Sequence, residues 1–197
     1  MKTITKTFTV RTFDELTPEE QAKALDKARY YDVETLDWSQ STIDDFTAIM
    51  EDIGLDVENV FFSGFSSQSD GASFAGSYRF TPDGLENFRA NTAAPDLIPL
   101  MEEIHALGSA GAARDGNEGE FSVIITKWRG RYCHENTMEF EFHQEPKDKT
   151  PWIIAFRKLA KWVYAQLETE YKWLTSDEGI AESFRSNEVV WETEKKE

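Results

Sequence analysis

Four stretches of the chain place apolar residues on alternate positions. Leu55, Val57 and Phe61 do so within residues 55–65, and Phe74, Tyr78 and Phe80 share one side of residues 72–80, with Gly76 between them. Phe121, Val123 and Ile125 alternate against Ser122 and Thr126 in residues 121–128. Met138, Phe140 and Phe142 oppose Glu139 and Glu141 in residues 138–143. A period of two belongs to a strand with one buried and one solvated face, which favours an antiparallel sheet. Only a short polar segment separates the first two stretches, so they are expected to form a hairpin. A fifth strand is expected over residues 3–12, which are rich in threonine and β-branched side chains.

Helical patterns lie between these strands. Thr17-Pro18-Glu19-Glu20 combines an N-cap, a proline suited to the first helical position and a capping-box glutamate. Ala22, Leu25 and Ala28 continue it as a narrow apolar stripe to about Arg29. A second helix is predicted from about Trp38 to Ile53, ended by Gly54 in a left-handed conformation. Thr81-Pro82-Asp83-Gly84 reads as a turn. A third helix is predicted over about 95–107, and a long one over about 151–174, where Phe156, Leu159, Ala160, Val163, Leu167 and Tyr171 recur at helical spacing. Residues 177–187 read as a last helical turn or two. Residues 108–119 read as a flexible loop, and residues 188–197 as a tail holding an edge strand or a docking segment. The expected fold is α+β: one domain over residues 1–197, an antiparallel sheet of about five strands, and helices mainly on one face.

A chain of 197 residues can bury roughly 70% of the surface its unfolded form exposes, so it needs no metal or disulfide to be stable. The single cysteine, Cys133, fits a reducing cytoplasm. Residues 1–13 lack the apolar core of a signal peptide, and no apolar run approaches the ~20 residues that span a bilayer. The net charge of −16 disfavours nucleic acid and anionic membranes as direct partners. The distribution says more than the total. Between Arg29 and Arg79, 49 residues hold no lysine or arginine and ten acids. Six of these acids, Asp37, Asp44, Asp45, Glu51, Asp52 and Asp56, are the candidate contact residues for a partner with a basic surface.

The residues of common catalytic constellations are absent or badly spaced. Cys133 and His134 are neighbours and would point to opposite faces of a strand. If residues 135–137 form the turn of the last hairpin, Cys133 faces Glu139, Arg131 faces Glu141 and His143 faces Arg129, which leaves no cysteine–histidine dyad. His105, His134 and His143 fall on separate elements without metal-ligand spacing, and "DGNEGE" lacks the order of a calcium loop. Neither phosphate-loop fingerprint occurs, and Gly64-Phe65-Ser66-Ser67-Gln68 is not a nucleophile elbow. No catalytic residue, cofactor or metal is therefore expected. Lys127, Trp128, Arg129, Arg131 and Tyr132 form the one cationic run interleaved with aromatics. It supports an alternative in which Ser67, Gln68, Asp70, Trp128 and Arg131 line a pocket near the 64–74 hairpin that binds or turns over a small nucleotide-like ligand.

Two segments carry a resemblance. "TFDELTPEEQAKALDKAR" followed by "IMEDIGLDVENVFFSGFSSQSDGASFAG" resembles a widespread set of small uncharacterised proteins encoded by bacteriophages and other mobile elements. The matching positions are Phe13, Glu15, Leu16, Glu19, Ala24, Phe62, Gly64, Phe65, Ser67, Gln68, Asp70, Gly71, Ala72 and Phe74. The chain departs from that pattern at Ser69, where glycine is usual, and at Ser66, where an aromatic is common. The resemblance spans roughly the first 80 residues and implies an origin, a phage-type accessory protein in a bacterial cytoplasm, without a known activity. Joined to the charge distribution, it leads to the expected function: an acidic protein that sequesters or inhibits a host protein, such as a nucleic-acid-binding defence factor, in the manner of a DNA mimic.

Overall fold

A computed structural model describes residues 8–113 and 121–192. The chain forms two compact units, one from Ser39–Glu168 and one from the flanking segments, up to Trp38 and from Thr169 onward.

The larger unit is built on a four-stranded antiparallel sheet. With the short strand β1 (Val10–Thr12) counted first, its strands are β2 (Leu55–Phe62), β3 (Ala72–Arg79), β4 (Ser122–Lys127) and β5 (Met138–Phe142), in the spatial order β2-β3-β4-β5. All four alternating stretches are thus strands of one sheet. Leu55, Phe74, Tyr78, Val123 and Ile125 are buried on one side of it, whereas Ser77, Ile124, Glu139 and Glu141 are exposed on the other.

The helices of this unit cover the apolar side. Helix α3 (Gln40–Glu51) lays Phe46 edge-on against Phe74, with centroids 5.8 Å apart. Helix α6 (Thr150–Leu174) contributes Trp152 and Phe156, whose rings meet Tyr78 at 5.5 and 5.8 Å. Gly54 follows α3 with φ 84°, the left-handed conformation expected of it. Helix α4 (Gly84–Asn91) follows the Thr81–Gly84 turn and buries Phe88.

Three expectations change. The sheet has four strands, because Val10–Thr12 pairs instead with β6 (Val190–Glu192) in a separate two-stranded sheet. The glycine- and alanine-rich residues 108–113 are helical, as the end of α5 (Ile98–Ala113). Small size here serves close packing: a Cβ on Gly108 would lie 2.6 Å from the Tyr78 hydroxyl. The rest of the expected flexible loop, residues 114–119, lies outside the described residues. Third, β4 stops at Lys127, so Ile124 faces Glu141 and Thr126 faces Glu139. Arg131 is therefore not the cross-strand partner of Glu141. A long connection, closed by the Trp128 amide donating to the Thr137 carbonyl at 2.8 Å, replaces the tight hairpin turn.

The second unit contains α1 (Pro18–Ala28), α2 (Tyr31–Thr35), α7 (Asp177–Ser186) and the β1–β6 pair. Phe13, Leu16 and Ala181 form its core, with Leu25, Phe184 and Trp191 packed against them. Thr17 and Glu20 form the expected capping box of α1. Glu20 also takes both ends of the Arg11 guanidinium, at 2.7 and 3.0 Å. Those bonds and the Thr17 amide hold the Glu20 carboxyl down at about 2. No helix among the described residues is long and apolar enough to cross a membrane.

Candidate functional site

Helix α3 buries Phe46 and Met50 and turns Asp44, Asp45 and Glu51 to solvent. At 3.6 residues per turn, Asp44, Asp45, Glu51 and Asp52 fall within roughly 120° of arc. Asp44 accepts a hydrogen bond from the Gln40 side chain at 2.7 Å, and Asp52 accepts one from Asn91 at 3.3 Å. No lysine or arginine among the described residues forms a salt bridge with any of the four. The structure divides the other two sequence candidates from this group. Asp56 pairs with Ser77 on the side of the sheet opposite the one that α3 packs on. Asp37 belongs to the other compact unit.

The charges of α3 run against its own stability. A helix favours acids in its first turn and bases in its last. Helix α1 follows the rule with Glu19 and Glu20 first and Lys27 last, and α7 with Asp177 and Glu178 first and Arg185 last. Helix α3 has no acid in its first turn and no base in its last, and it ends at Glu51 with Asp52 as its C-cap.

The hairpin residues have mostly local roles. One Asp70 carboxylate oxygen accepts the amides of Ser66 and Ser67, at 3.0 and 2.7 Å. Those amides hold the Asp70 carboxyl below its ordinary range. The Ser67 hydroxyl accepts the Ser69 amide at 3.3 Å. The Tyr164 hydroxyl donates to the Gly64 carbonyl at 2.7 Å, and Phe65 stacks on the Tyr164 ring. Ser67 and Asp70 therefore tie the loop to itself, whereas Gln68 is exposed. Replacing Asp70 with alanine is expected to speed hydrogen exchange at Ser66 and Ser67. Because the carboxyl is depressed, its protection is complete at neutral pH and is lost as acid takes the pH through its folded value. Exchange at both amides that is unchanged in Asp70→Ala would contradict this role.

The cationic run is also held locally. The Lys127 ammonium donates to the Gly130 carbonyl at 2.8 Å and lies over the Phe61 ring. Arg131 lies over the Tyr132 ring and donates to its hydroxyl at 3.0 Å. Trp128 is about half exposed and packs over Gly130. His134, not Trp128 or Arg131, meets the hairpin: a Cβ on Gly71 would lie 2.7 Å from the Cβ of His134. The His134 ring nitrogen accepts the Asn136 amide at 3.2 Å, and the Cys133 sulfur faces the Arg131 carbonyl.

A family model described as a domain of unknown function, DUF8835, matches residues 38–177. The chain belongs to this family. The DUF8835 region takes in α3, the whole four-stranded sheet and α6, so every candidate residue except Asp37 lies inside it. The first of the two resembling segments, residues 12–29 with the capping-box helix α1, lies outside it. No curated protein and no solved structure matches the chain.

Proposed function

We propose that this protein is a binding protein that uses the acidic side of α3 to occupy the basic surface of a nucleic-acid-binding partner. The observation that carries the reading is the placement of Glu51 and Asp52 at the negative end of α3, beside Asp44 and Asp45, with no lysine or arginine of the described residues paired to them. Acids there cost the helix stability, so their benefit lies elsewhere. A basic partner supplies the missing cations. Duplex DNA carries one charge per ~1.7 Å of axis, and a dense row of carboxylates competes for the same lysines and arginines. The resemblance of the capping-box helix and the hairpin to phage and mobile-element proteins supports a bacterial cell as the setting, and joined to the acidic side of α3 it makes a nucleic-acid-binding defence protein of the host the proposed target.

Affinity capture from bacterial lysate tests the reading, using the wild-type chain and a variant with Asp44→Asn, Asp45→Asn, Glu51→Gln and Asp52→Asn. The wild type is expected to retain a basic protein at low salt and to release it at high salt, because screening weakens exposed charge pairs. The variant is expected to retain none of it. The same variant should be as stable as the wild type or more so, by a few tenths of a kcal/mol per acid removed from the last turn. Lost capture in a folded variant separates a binding role from a structural one. Capture that survives neutralisation rules out the α3 mechanism.

A further inference from the structure

Four of the eight arginines among the described residues have carboxylate partners. Arg11 meets Glu20, Arg29 meets Asp177, Arg89 meets Glu102 and Arg185 meets Asp14. Arg79 is different. Its amide donates to the Gly54 carbonyl at 2.8 Å, but its guanidinium has no hydrogen bond or salt bridge to any described residue.

Arg79 lines a cavity of about 200 Å³ together with Phe121, Ser122 and His143. The sheet sets this grouping. Arg79 on β3 pairs with Ser122 on β4, and the His143 amide donates to the Ser122 carbonyl at 3.1 Å. The guanidinium fork, a hydroxyl and an imidazole are thus carried on three adjacent strand segments. Phe121, beside them, is fixed by its stack on Trp152 at 4.8 Å. The site lies at the end of β3 away from the hairpin tip, so it is distinct from the Ser67–Asp70 loop.

We propose that Arg79, Ser122 and His143 form a binding site for one small oxyanion, a phosphate or carboxylate group. The guanidinium supplies two parallel N–H donors, the geometry that matches either group, and the hydroxyl and imidazole add directed bonds. A cavity of this size has room for a single anionic group. This site does not depend on the acidic side of α3, so its test and that of the proposed function fail independently.

Isothermal titration at constant ionic strength, with inorganic phosphate in one arm and acetate in the other and chloride as the background salt, tests the proposal. Saturable one-to-one binding of at least one of the two is expected, and the arm that binds identifies the group. Arg79→Gln should weaken that binding by about tenfold or more, the usual effect of removing a charged hydrogen-bond partner. Arg79→Lys should weaken it less, since the charge stays and the fork is lost. His143→Gln should also weaken it, with both folds checked by circular dichroism. No saturable binding in either arm, or equal binding in wild type and folded Arg79→Gln, would overturn the site.

Discussion

Replacing Trp152 with alanine is expected to destabilise the larger unit by about 3–5 kcal/mol, the range for deleting a fully buried large aromatic. Trp152 is 2% exposed and sits at the centre of the aromatic core. It stacks on Phe121 at 4.8 Å and on Phe156 at 5.7 Å, and it meets Tyr78 at 5.5 Å and Phe142 at 6.3 Å. These partners come from β3, β5, α6 and the residue preceding β4, so removing the indole opens a cavity that no single neighbour can fill. A domain is stable by only about 5–15 kcal/mol, so the loss takes a large share of the total. Urea denaturation followed by circular dichroism measures it. Trp152→Phe keeps a stacking ring and is expected to cost clearly less. A loss below about 1 kcal/mol for Trp152→Ala would mean that helix and sheet are not joined through this residue.

The second large effect is expected from one methyl group. Gly76 lies on β3 opposite the irregularity in β2 between Val57 and Asn59. A Cβ there would sit 2.1 Å from the Asp56 carbonyl oxygen and 3.1 Å from the Val57 Cα. Both obstacles are backbone, so neither can swing aside as a side chain would. Gly76→Ala must push β2 and β3 apart at the bulge, at a cost of about 1–3 kcal/mol. Ser77→Ala, one residue on and facing solvent, is expected to stay within about 0.5 kcal/mol of wild type. Equal stability of the two variants would contradict the close approach of the strands.

The strands and longest helices were legible because their apolar periods are strong and local. The capping box of α1 and the end of α3 at Gly54 were legible for the same reason: each is specified within a few residues. Pairing was not. Nothing local at Val10–Thr12 says that its partner is Val190–Glu192 rather than the main sheet. The β4–β5 register failed because alternation fixes which face a residue takes, not how long the connection is. The helix over residues 108–113 was hidden by its glycines and alanines, which read as a loop until Tyr78 and Phe80 show why small residues are needed there. Helix α4 was masked by the turn signal just ahead of it.

The candidate sites divide in a similar way. The acidic side of α3 followed from helical spacing alone. Asp56 did not belong with it, because its side of the sheet depends on pairing with Ser77. The serine, glutamine and aspartate of the hairpin invited a ligand reading, yet Asp70 and Ser67 use their oxygens on neighbouring amides. Arg79, Ser122 and His143 are 43 and 21 positions apart and carried no sequence signal. Only the β3–β4–β5 ladder brings them together.

The most direct test of the acidic-partner account is a displacement assay on the captured protein. Fluorescently labelled duplex DNA is bound to that partner at low salt, and the wild-type chain or the variant neutralised at Asp44, Asp45, Glu51 and Asp52 is titrated in. The account predicts that the wild type displaces the DNA, that added salt weakens the displacement, and that the folded variant leaves the DNA bound. Displacement of equal strength by wild type and variant, or a captured partner with no affinity for DNA, would contradict it.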